Sequence, residues 1–242
     1  MQITVYAVAY NEEKIMPFFL DHYSQFVKKI VVYDNCSTDN TVNIVKNYTK
    51  CETEVITFNT DNSFDDIELV NIKSTCWKSD QSDYVITVDV DELLYHPNLI
   101  EFIEQTTYPL YLPYGYDMVS VSFPKSGIIT SEIKTGVSQI NYSKPCIFSP
   151  VKIKRCELLL GCHGGNFYDY NDNIVEPYRD QNLKLLHYKN ISFDYRFEKN
   201  SMFGCRQSSS NIAIGSSTHF NFTREHQLNE FRKLLQECTE II

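Results

Sequence analysis

The sequence predicts an α/β fold with a mainly parallel central sheet flanked by helices. In the first half, apolar runs rich in Val, Ile and Tyr alternate with amphipathic stretches of about 12 to 18 residues. Polar clusters follow three of these runs directly. The chain has 242 residues, 43% hydrophobic and 22% charged, so it is long and apolar enough to bury a core. This alternation is typical of parallel strands joined by crossover helices.

Four strands and two helices are predicted in this first half. β-branched and aromatic runs predict the strands at 2–9, 29–33, 54–58 and 84–88. Ser-Thr-Asp at 37–39 is a capping sequence and predicts a helix at 40–48. Asn-Ser at 62–63 likewise predicts a helix at 64–79.

The second half is less regular. Residues 108–160 predict β-structure with turns at Pro113-Tyr114-Gly115 and Lys144-Pro145, and 224–240 predicts a terminal helix. No internal repeat and no Pro/Gly/Ser-rich linker divides the chain. We therefore expect a single domain over 1–242, in which 108–242 leans on the sheet formed by 1–107.

Composition and charge exclude several classes of protein. The formal charge of −9 argues against a nucleic-acid-binding surface, which needs clustered cations. The N-terminus lacks the basic segment of a signal peptide, and no apolar stretch approaches the ~20 residues of a membrane span. We expect a soluble, cytoplasmic protein without a transmembrane segment. The eight scattered cysteines form no CxxC and are expected to be free thiols. Nothing in the sequence indicates the oligomeric state.

Polar clusters lie at 10–13, 34–39 and 89–92, immediately after the first, second and fourth predicted strands. The carboxyl ends of parallel strands share one edge of a sheet, and ligands bind there. Each cluster taken alone also has the composition of an ordinary helix cap. Their recurrence at the same topological place favours a binding site.

Asp89-Val90-Asp91 is the most specific of these signals. Carboxylates two residues apart on an extended chain point to the same side, where they suit a hard divalent cation. With Glu92, three acids in four residues repel one another unless a counter-charge is present. A cation there would stabilise a diphosphate leaving group. The alternative is a solvated acidic turn.

Together these stretches resemble family 2-like glycosyltransferases, over residues 3 to 200. The resemblance rests on Asn11-Glu12, on His22 in the following helical stretch, and on the segment Asp34-Asn35-Cys36-Ser37-Thr38-Asp39. It continues through Asn71, Asp89-Val90-Asp91-Glu92 and Leu186-His187-Tyr188, which is followed by Ser192 and Lys199. Two positions depart from the family pattern: Cys36 replaces the usual Gly, and Leu93 replaces an aromatic residue.

The resemblance implies a GT-A fold, a nucleotide-diphospho-sugar donor, a saccharide or glycan acceptor, and Mn²⁺ or Mg²⁺. The half at 1–107 would then bind the nucleotide sugar and the metal, and 108–242 would face the acceptor. Asp89 and Asp91 would be the metal carboxylates. The nucleotide-binding residues would be Ala9, Glu12, Asp34, Asn35, Lys73 and Asp89.

Histidines and cations further along the chain complete the predicted site. His187 ends an apolar run and is a candidate third metal ligand; an imidazole would shift preference towards Mn²⁺. His163, in the glycine-containing loop 161–165, is a candidate for closing over donor or acceptor. The diphosphate also needs cations, for which the candidates are Lys73, Lys144, Arg196 and Lys199. For each of these, an ordinary structural or solvated position is the alternative.

An inverting transfer is the expected stereochemistry, and it needs a carboxylate base on the acceptor side. Asp117 is the first candidate because its segment belongs to that side. Asp169, Asp172 and Glu176 are alternatives that no spacing rule separates.

Three competing functions were weighed. A haloacid-dehalogenase-like phosphohydrolase would carry Thr two positions beyond the second Asp, where this chain has Leu93. A sugar nucleotidyltransferase would carry a Gly-rich, Arg-bearing loop after the first strand, where this chain has Tyr10-Asn11-Glu12-Glu13. A non-catalytic sugar-binding module would not need the intact acid cluster.

Overall fold

The computed structural model describes residues 1–125, 127–216 and 218–242. The strands are β1 (Ile3–Ala9), β2 (Lys29–Asp34), β3 (Glu52–Thr57), β4 (Tyr84–Asp89), β5 (Glu92–Tyr95), β6 (Leu110–Tyr111), β7 (Tyr114–Val119), β8 (Thr135–Ser138), β9 (Ile147–Phe148), β10 (Arg155–Leu158), β11 (Gly165–Tyr168), β12 (Lys184–Asn190) and β13 (Thr239–Glu240). The helices are α1 (Met16–Tyr23), α2 (Thr41–Lys46), α3 (Asp66–Thr75), α4 (Leu99–Thr106), α5 (Ile129–Glu132), α6 (Phe193–Cys205), α7 (Ser209–Ile214) and α8 (Arg224–Glu237).

The first sheet has the order β3-β2-β1-β4-β9-β6. Strands β1 to β4 are parallel, and β6 and β9 add an antiparallel edge beyond β4. The four predicted strands are thus confirmed, each to within two residues at either end. Because β1 lies between β2 and β4, the loops that follow these three strands meet at one edge.

The second sheet has the order β13-β8-β7-β12-β5 and mixes both pairing directions. Strand β12 pairs in parallel with β7 and antiparallel with β5. Only Val90 and Asp91 separate β4 from β5, so the chain leaves the first sheet and enters the second at the acidic motif. A continuous apolar cluster packs both sheets together, including Val5 of β1 and Leu185 of β12. The α/β class is confirmed, with one parallel and one mixed sheet.

The helices depart more from the sequence-based boundaries. Helix α3 begins two residues later than predicted because Asp65 caps it, accepting hydrogen bonds from the backbone of Ile67 and Glu68. The predicted terminal helix ends at Glu237, since the chain then pairs as β13 with β8. Helices α4 to α7 were not predicted, and α5 lies within the region 108–160 that was predicted as β-structure. The aromatic-rich α6 sequence is a poor helix former, and its helix begins at the cap formed by Ser192.

No helix within the described ranges is long and apolar enough to cross a membrane.

A buried histidine in α1 makes the fold sensitive to acid. His22 is buried, and its Nε2 lies 2.8 Å from the Leu94 carbonyl oxygen. Burial lowers the pKa of His22 to about 4, against an ordinary value of 6.5, even though the Leu94 carbonyl favours the protonated ring. Between these two pH values, His22 is therefore protonated in the unfolded chain and neutral in the folded chain.

The free energy of unfolding is accordingly expected to fall by about 1.4 kcal/mol per pH unit below pH 6.5, in addition to the effect of the carboxylates. Urea unfolding at intervals from pH 7 to pH 4 measures it. A His22→Gln variant keeps an N–H donor and does not titrate, so its curve should be flatter by that slope. Parallel curves for the two proteins would contradict the assignment.

Candidate functional site

A cleft opens where the first sheet meets the second. Some of the residues that line it belong to the loops after β1, β2, β3 and β4. Others belong to β12, to α6 and to the segments before and after these two elements. The residues lining it include Val8, Ala9, Tyr10, Glu12, Asn35, Phe58, Thr60, Phe64, Asp65, Asp66, Leu69, Asp89, Asp91, Glu92, Tyr142, Gly161, His163, His187, Lys189, Lys199, Phe203, Arg206 and Phe220. The three predicted polar clusters thus share one cavity.

The turn between β4 and β5 holds the acidic motif in place. The Asp89 backbone N–H donates to Glu92 Oε2 over 2.9 Å, which closes the turn on itself. The Asp91 carbonyl accepts a bond of 2.7 Å from the Tyr188 N–H, which ties the turn to β12. Asp89 and Asp91 therefore have fixed backbones, and both side chains line the cleft.

Two lysines that do not line the cleft form ion pairs with Asp89. Lys73 Nζ of α3 lies 2.6 Å from Asp89 Oδ1, and Lys144 Nζ lies 3.4 Å from Oδ2. Lys144 also pairs with Glu92 at 2.6 Å. Burial opposes ionisation of Asp89, but the two ammonium groups outweigh it and hold its pKa below the ordinary value. Its side chain keeps 34% of its surface exposed, so Asp89 still faces the cleft.

Asp91 is deeper and shares a different set of cations. Its Oδ2 lies 2.9 Å from Lys199 Nζ and 3.4 Å from His187 Nε2. Lys199 Nζ also lies 2.7 Å from Glu12 Oε1, so it bridges the first and third polar clusters. Burial opposes the charge on Asp91, and Lys199 and His187 overcome it, holding its pKa well below the usual range.

His187 is held between two carboxylates. Its Nδ1 lies 3.1 Å from Asp117 Oδ1, on the side away from Asp91. Burial disfavours the charged ring, but Asp91 and Asp117 outweigh this and raise the pKa of His187 to about 9. The Tyr142 ring packs on the imidazole with 4.3 Å between ring centroids. Gly115 allows this close approach because it has no Cβ. A Cβ at position 115 would lie 2.3 Å from the backbone carbonyl carbon of Tyr142.

Asp91 and His187 fit two positions of one divalent ion. Ligands about 2.1 Å from an octahedral ion lie ~3 Å apart when they are adjacent, and these two donor atoms are 3.4 Å apart. No group of three or more candidate protein ligands occurs in the part of the chain that the structure describes. The remaining positions would fall to phosphate oxygens and water, as is usual for Mg²⁺. The predicted metal residues are therefore close together, and their role stays a prediction.

A buried carboxylate with one unpaired oxygen lies next to the cleft without lining it. Asp34 is buried directly behind Ala9 and Asn35, and its Oδ2 accepts a bond from the Ser37 N–H at 3.0 Å. Its Oδ1 is buried without a hydrogen-bond partner among the described residues. Buried polar atoms are nearly always paired, so this oxygen is a candidate acceptor for a ligand N–H or O–H group.

The loop after Asp34 bends through Cys36, whose φ is 56°. This left-handed conformation favours glycine, which explains why the family pattern has Gly there. Cys36 adopts it at some cost in strain.

One side of the cleft, called the roof below, is formed by Arg206 with Phe64, Phe203 and Phe220, and the sequence did not reveal it. The Arg206 guanidinium lies 3.1 Å from the centroid of the Tyr10 ring, and its Nε donates to the Asn62 carbonyl at 3.0 Å. Phe64, Phe203 and Phe220 pack against one another beside it. These contacts join segments more than 130 residues apart, and no local pattern signals them.

Several predicted residues lie outside the cleft wall. Lys73 and Lys144 contact Asp89, Asp117 contacts His187, and Asp34 is buried beside Ala9, but none of these four lines the cleft. Arg196 donates to Glu230 of α8 at 2.7 Å and does not line the cleft either. The alternative bases Asp169, Asp172 and Glu176 follow the β10–β11 hairpin and do not line the cleft. Of the remaining predicted residues, Ala9, Glu12, Asn35, Asp89, Asp91, His163, His187 and Lys199 line it.

Sequence reasoning also missed Lys189, which lines the cleft two residues after His187 on β12. Burial lowers the pKa of Lys189 to about 8. The period of two along a strand was the available signal, since it places residues 187 and 189 on one face.

Comparisons with known proteins bear on the family and the fold. The profile described as Glycosyl transferase family 2 matches residues 4–168. A crystal structure of S. aureus TarS 1-349 is similar with a TM-score of 0.52 and 19% identity, covering 94% of this chain and 68% of that one. A longer S. aureus TarS structure gives a TM-score of 0.52 and 20% identity, covering 96% of this chain and 43% of that one.

A Mycobacterium tuberculosis glucosyl-3-phosphoglycerate synthase, in complex with Mg²⁺ and uridine-diphosphate, has a TM-score of 0.33 and 20% identity, covering 48% of this chain and 43% of that one. No curated protein sequence matches the chain significantly. The profile match covers more than half of the chain, and the TarS likeness shows the fold. The chain therefore belongs to glycosyl transferase family 2 and has the GT-A fold.

Proposed function

We propose that this chain transfers a sugar from a nucleotide-diphosphate donor to a saccharide or glycan acceptor, with a divalent cation at Asp91 and His187. The observation that carries the proposal is the pairing of these two groups, 3.4 Å apart, in a cleft that Ala9 and Asn35 also line. The buried Asp34 adjoins both of these residues, and its Oδ1 has no partner among the described residues, so it supports a nucleoside-binding role for this part of the site.

The chain's own groups divide the work of the transfer. Asp34 and Asn35 hold the nucleoside, and Glu12 with Lys199 positions Asp91. Asp117 holds His187 through Nδ1, so that Nε2 faces Asp91. A Mn²⁺ or Mg²⁺ ion bound at Asp91 and His187, with Asp89 nearby, would stabilise the charge on the departing diphosphate. The roof formed by Arg206 and the phenylalanines limits the access of water to the donor.

Inverting transfer with Asp117 as the base stays a prediction. Its Oδ1 contacts His187, so Asp117 is not free to take the acceptor proton while that contact lasts. His163 is the second candidate, because it lines the cleft. Burial and the nearby Lys144 charge lower the pKa of His163, so the neutral ring that accepts a proton predominates at pH 7. A pH–rate profile whose acidic limb is lost in His163→Gln and kept in Asp117→Asn would assign the base to His163.

Binding of a nucleoside diphosphate tests the donor part of the proposal. Thermal unfolding with UDP, GDP and dTDP, each with and without Mn²⁺, identifies the nucleotide, since a ligand of the native state raises stability. An Asp34→Ala variant is then expected to bind that nucleotide about 10-fold or more weakly, because a bond to a charged acceptor contributes ~1.5 to 3 kcal/mol.

Calorimetry measures the change, with Glu54→Ala as the matched control. Glu54 lies on β3, pairs with Lys29 and does not line the cleft, so its affinity should stay as in the wild type. Unchanged affinity in Asp34→Ala would assign this carboxylate to the loop structure alone.

The metal part of the proposal has its own test. A His187→Ala variant is expected to bind Mn²⁺ about 10-fold or more weakly, since loss of even an outer-shell partner costs 10- to 100-fold. The loss should be larger for Mn²⁺ than for Mg²⁺, because imidazole contributes more to the softer ion. Titration followed by electron paramagnetic resonance measures Mn²⁺, and competition measures Mg²⁺.

His226→Ala is the control, since His226 is exposed on α8 and away from the cleft. A metal- and nucleotide-bound structure with the His187 ring more than about 4 Å from the cation would refute the ligand role, because bonds to nitrogen are ~2.0 to 2.1 Å long.

A further inference from the structure

Lys189 differs from the other lysines of the site in having no counter-ion. Lys73, Lys144 and Lys199 each pair with at least one carboxylate of the cleft. Among the described residues, Lys189 makes neither an ion pair nor a hydrogen bond. The centroid of the Phe220 ring lies 5.0 Å from its Nζ. A half-buried ammonium group that makes no ion pair with a described residue is unfavourable, which favours an anion as the ligand of this part of the cleft.

The position of Lys189 in the cleft suggests which anion it binds. Lys189 and His187 both line the cleft, and Tyr188 between them is buried in the core. Two residues along a strand span about 6.6 Å, so Lys189 is offset from the Asp91–His187 pair by roughly the length of one phosphate group and its bridging oxygen. The Phe220 contact joins it to the aromatic cluster that includes Phe64, on the nucleoside side. Lys189 therefore shares a strand with His187 and also contacts the aromatic cluster, whose Phe64 follows the Ser63 that Asn35 bonds.

We propose that Lys189 binds the diphosphate of the donor and so distinguishes a nucleoside diphosphate from a nucleoside. The inference rests on the proposed function, because it assumes that the nucleotide lies along the cleft. An ammonium group on a flexible stem suits phosphate oxygens as a point charge. The charges of Asp117 and Asp91 favour the protonated form of Lys189, but its ammonium group makes no direct ion pair with a described carboxylate and so stays available to a ligand.

The test compares wild type with Lys189→Met, which keeps the aliphatic stem and removes the charge. The probes are whichever of UDP, GDP and dTDP binds the wild type most tightly, and the matching nucleoside. Calorimetry in EDTA removes any contribution of a bound cation. We expect the diphosphate to bind about 10-fold or more weakly to Lys189→Met, and the nucleoside to bind within about twofold of wild type. Lys189→Arg should retain most of the diphosphate affinity.

Lys184→Met is the matched control on the same strand. Lys184 Nζ donates to the Ile241 carbonyl at 2.6 Å, outside the cleft, so its loss should leave both affinities unchanged. Equal affinity of wild type and Lys189→Met for the diphosphate would overturn the inference, as would an equal loss for diphosphate and nucleoside. Equal diphosphate affinity with a raised KM for the acceptor would assign the charge to an anionic acceptor instead. If wild type binds none of the three diphosphates either in EDTA or with Mn²⁺, the proposed function itself fails.

Discussion

The Asp91→Asn variant is expected to lose sugar transfer by about 100- to 1000-fold, which is the usual cost of removing one group that stabilises charge in the transition state. An amide keeps the size of the side chain but loses the anionic oxygen that Lys199, His187 and the proposed cation share. The loss should persist at saturating Mn²⁺, because the defect lies in the ligand. Transfer to an acceptor, measured as release of nucleoside diphosphate, is the readout.

Two controls separate chemistry from folding. Asp172→Asn changes an exposed acid that pairs with Lys154, far from the cleft, and should transfer as wild type does. Thermal unfolding shows whether Asp91→Asn is still folded at the assay temperature. Wild-type turnover by Asp91→Asn in EDTA would end the proposal of a metal-assisted transfer at this residue.

The largest effect on stability is expected from Lys199→Met. Lys199 Nζ is buried between Glu12 and Asp91, and its removal leaves two buried carboxylates without their shared counter-ion. Breaking a buried ion pair by removing one partner typically costs about 3 to 5 kcal/mol. Burial raises the pKa of Glu12 to about 7 even with Lys199 present, helped by the Asp91 charge, so Glu12 is the carboxylate that protonates first.

Equilibrium unfolding in urea at pH 7.5 measures the loss. Lys14→Met is the control, because Lys14 and Glu198 form an exposed pair for which little change is expected. Adding Glu12→Gln to Lys199→Met should restore part of the stability, since it removes one of the unpaired charges. A Lys199→Met protein as stable as wild type would show that the carboxylates recruit another cation or water.

Local patterns in the sequence determined most of the first sheet. Strands β1 to β4 were predicted to within two residues because runs rich in Val and Ile favour buried strands whatever their tertiary neighbours are. The edge shared by Glu12, Asn35, Asp89 and Asp91 followed from the topology of parallel strands alone. His187 was placed at the same site by the motif around it, although almost one hundred residues separate it from Asp91, and the structure brings the two within 3.4 Å.

Tertiary structure alone decided how the charges are distributed. Lys73, Lys144 and Lys199 were predicted as ligands of the diphosphate, but each pairs with a carboxylate of the cleft. Lys189, which the sequence did not single out, lines the cleft and makes no ion pair with any residue that the structure describes. Arg206 over Tyr10 and the helical character of 193–205 were likewise invisible. The reason is physical: periodicity reports which face of an element is buried, whereas the partner of a charge depends on distances between segments that only the folded chain brings together.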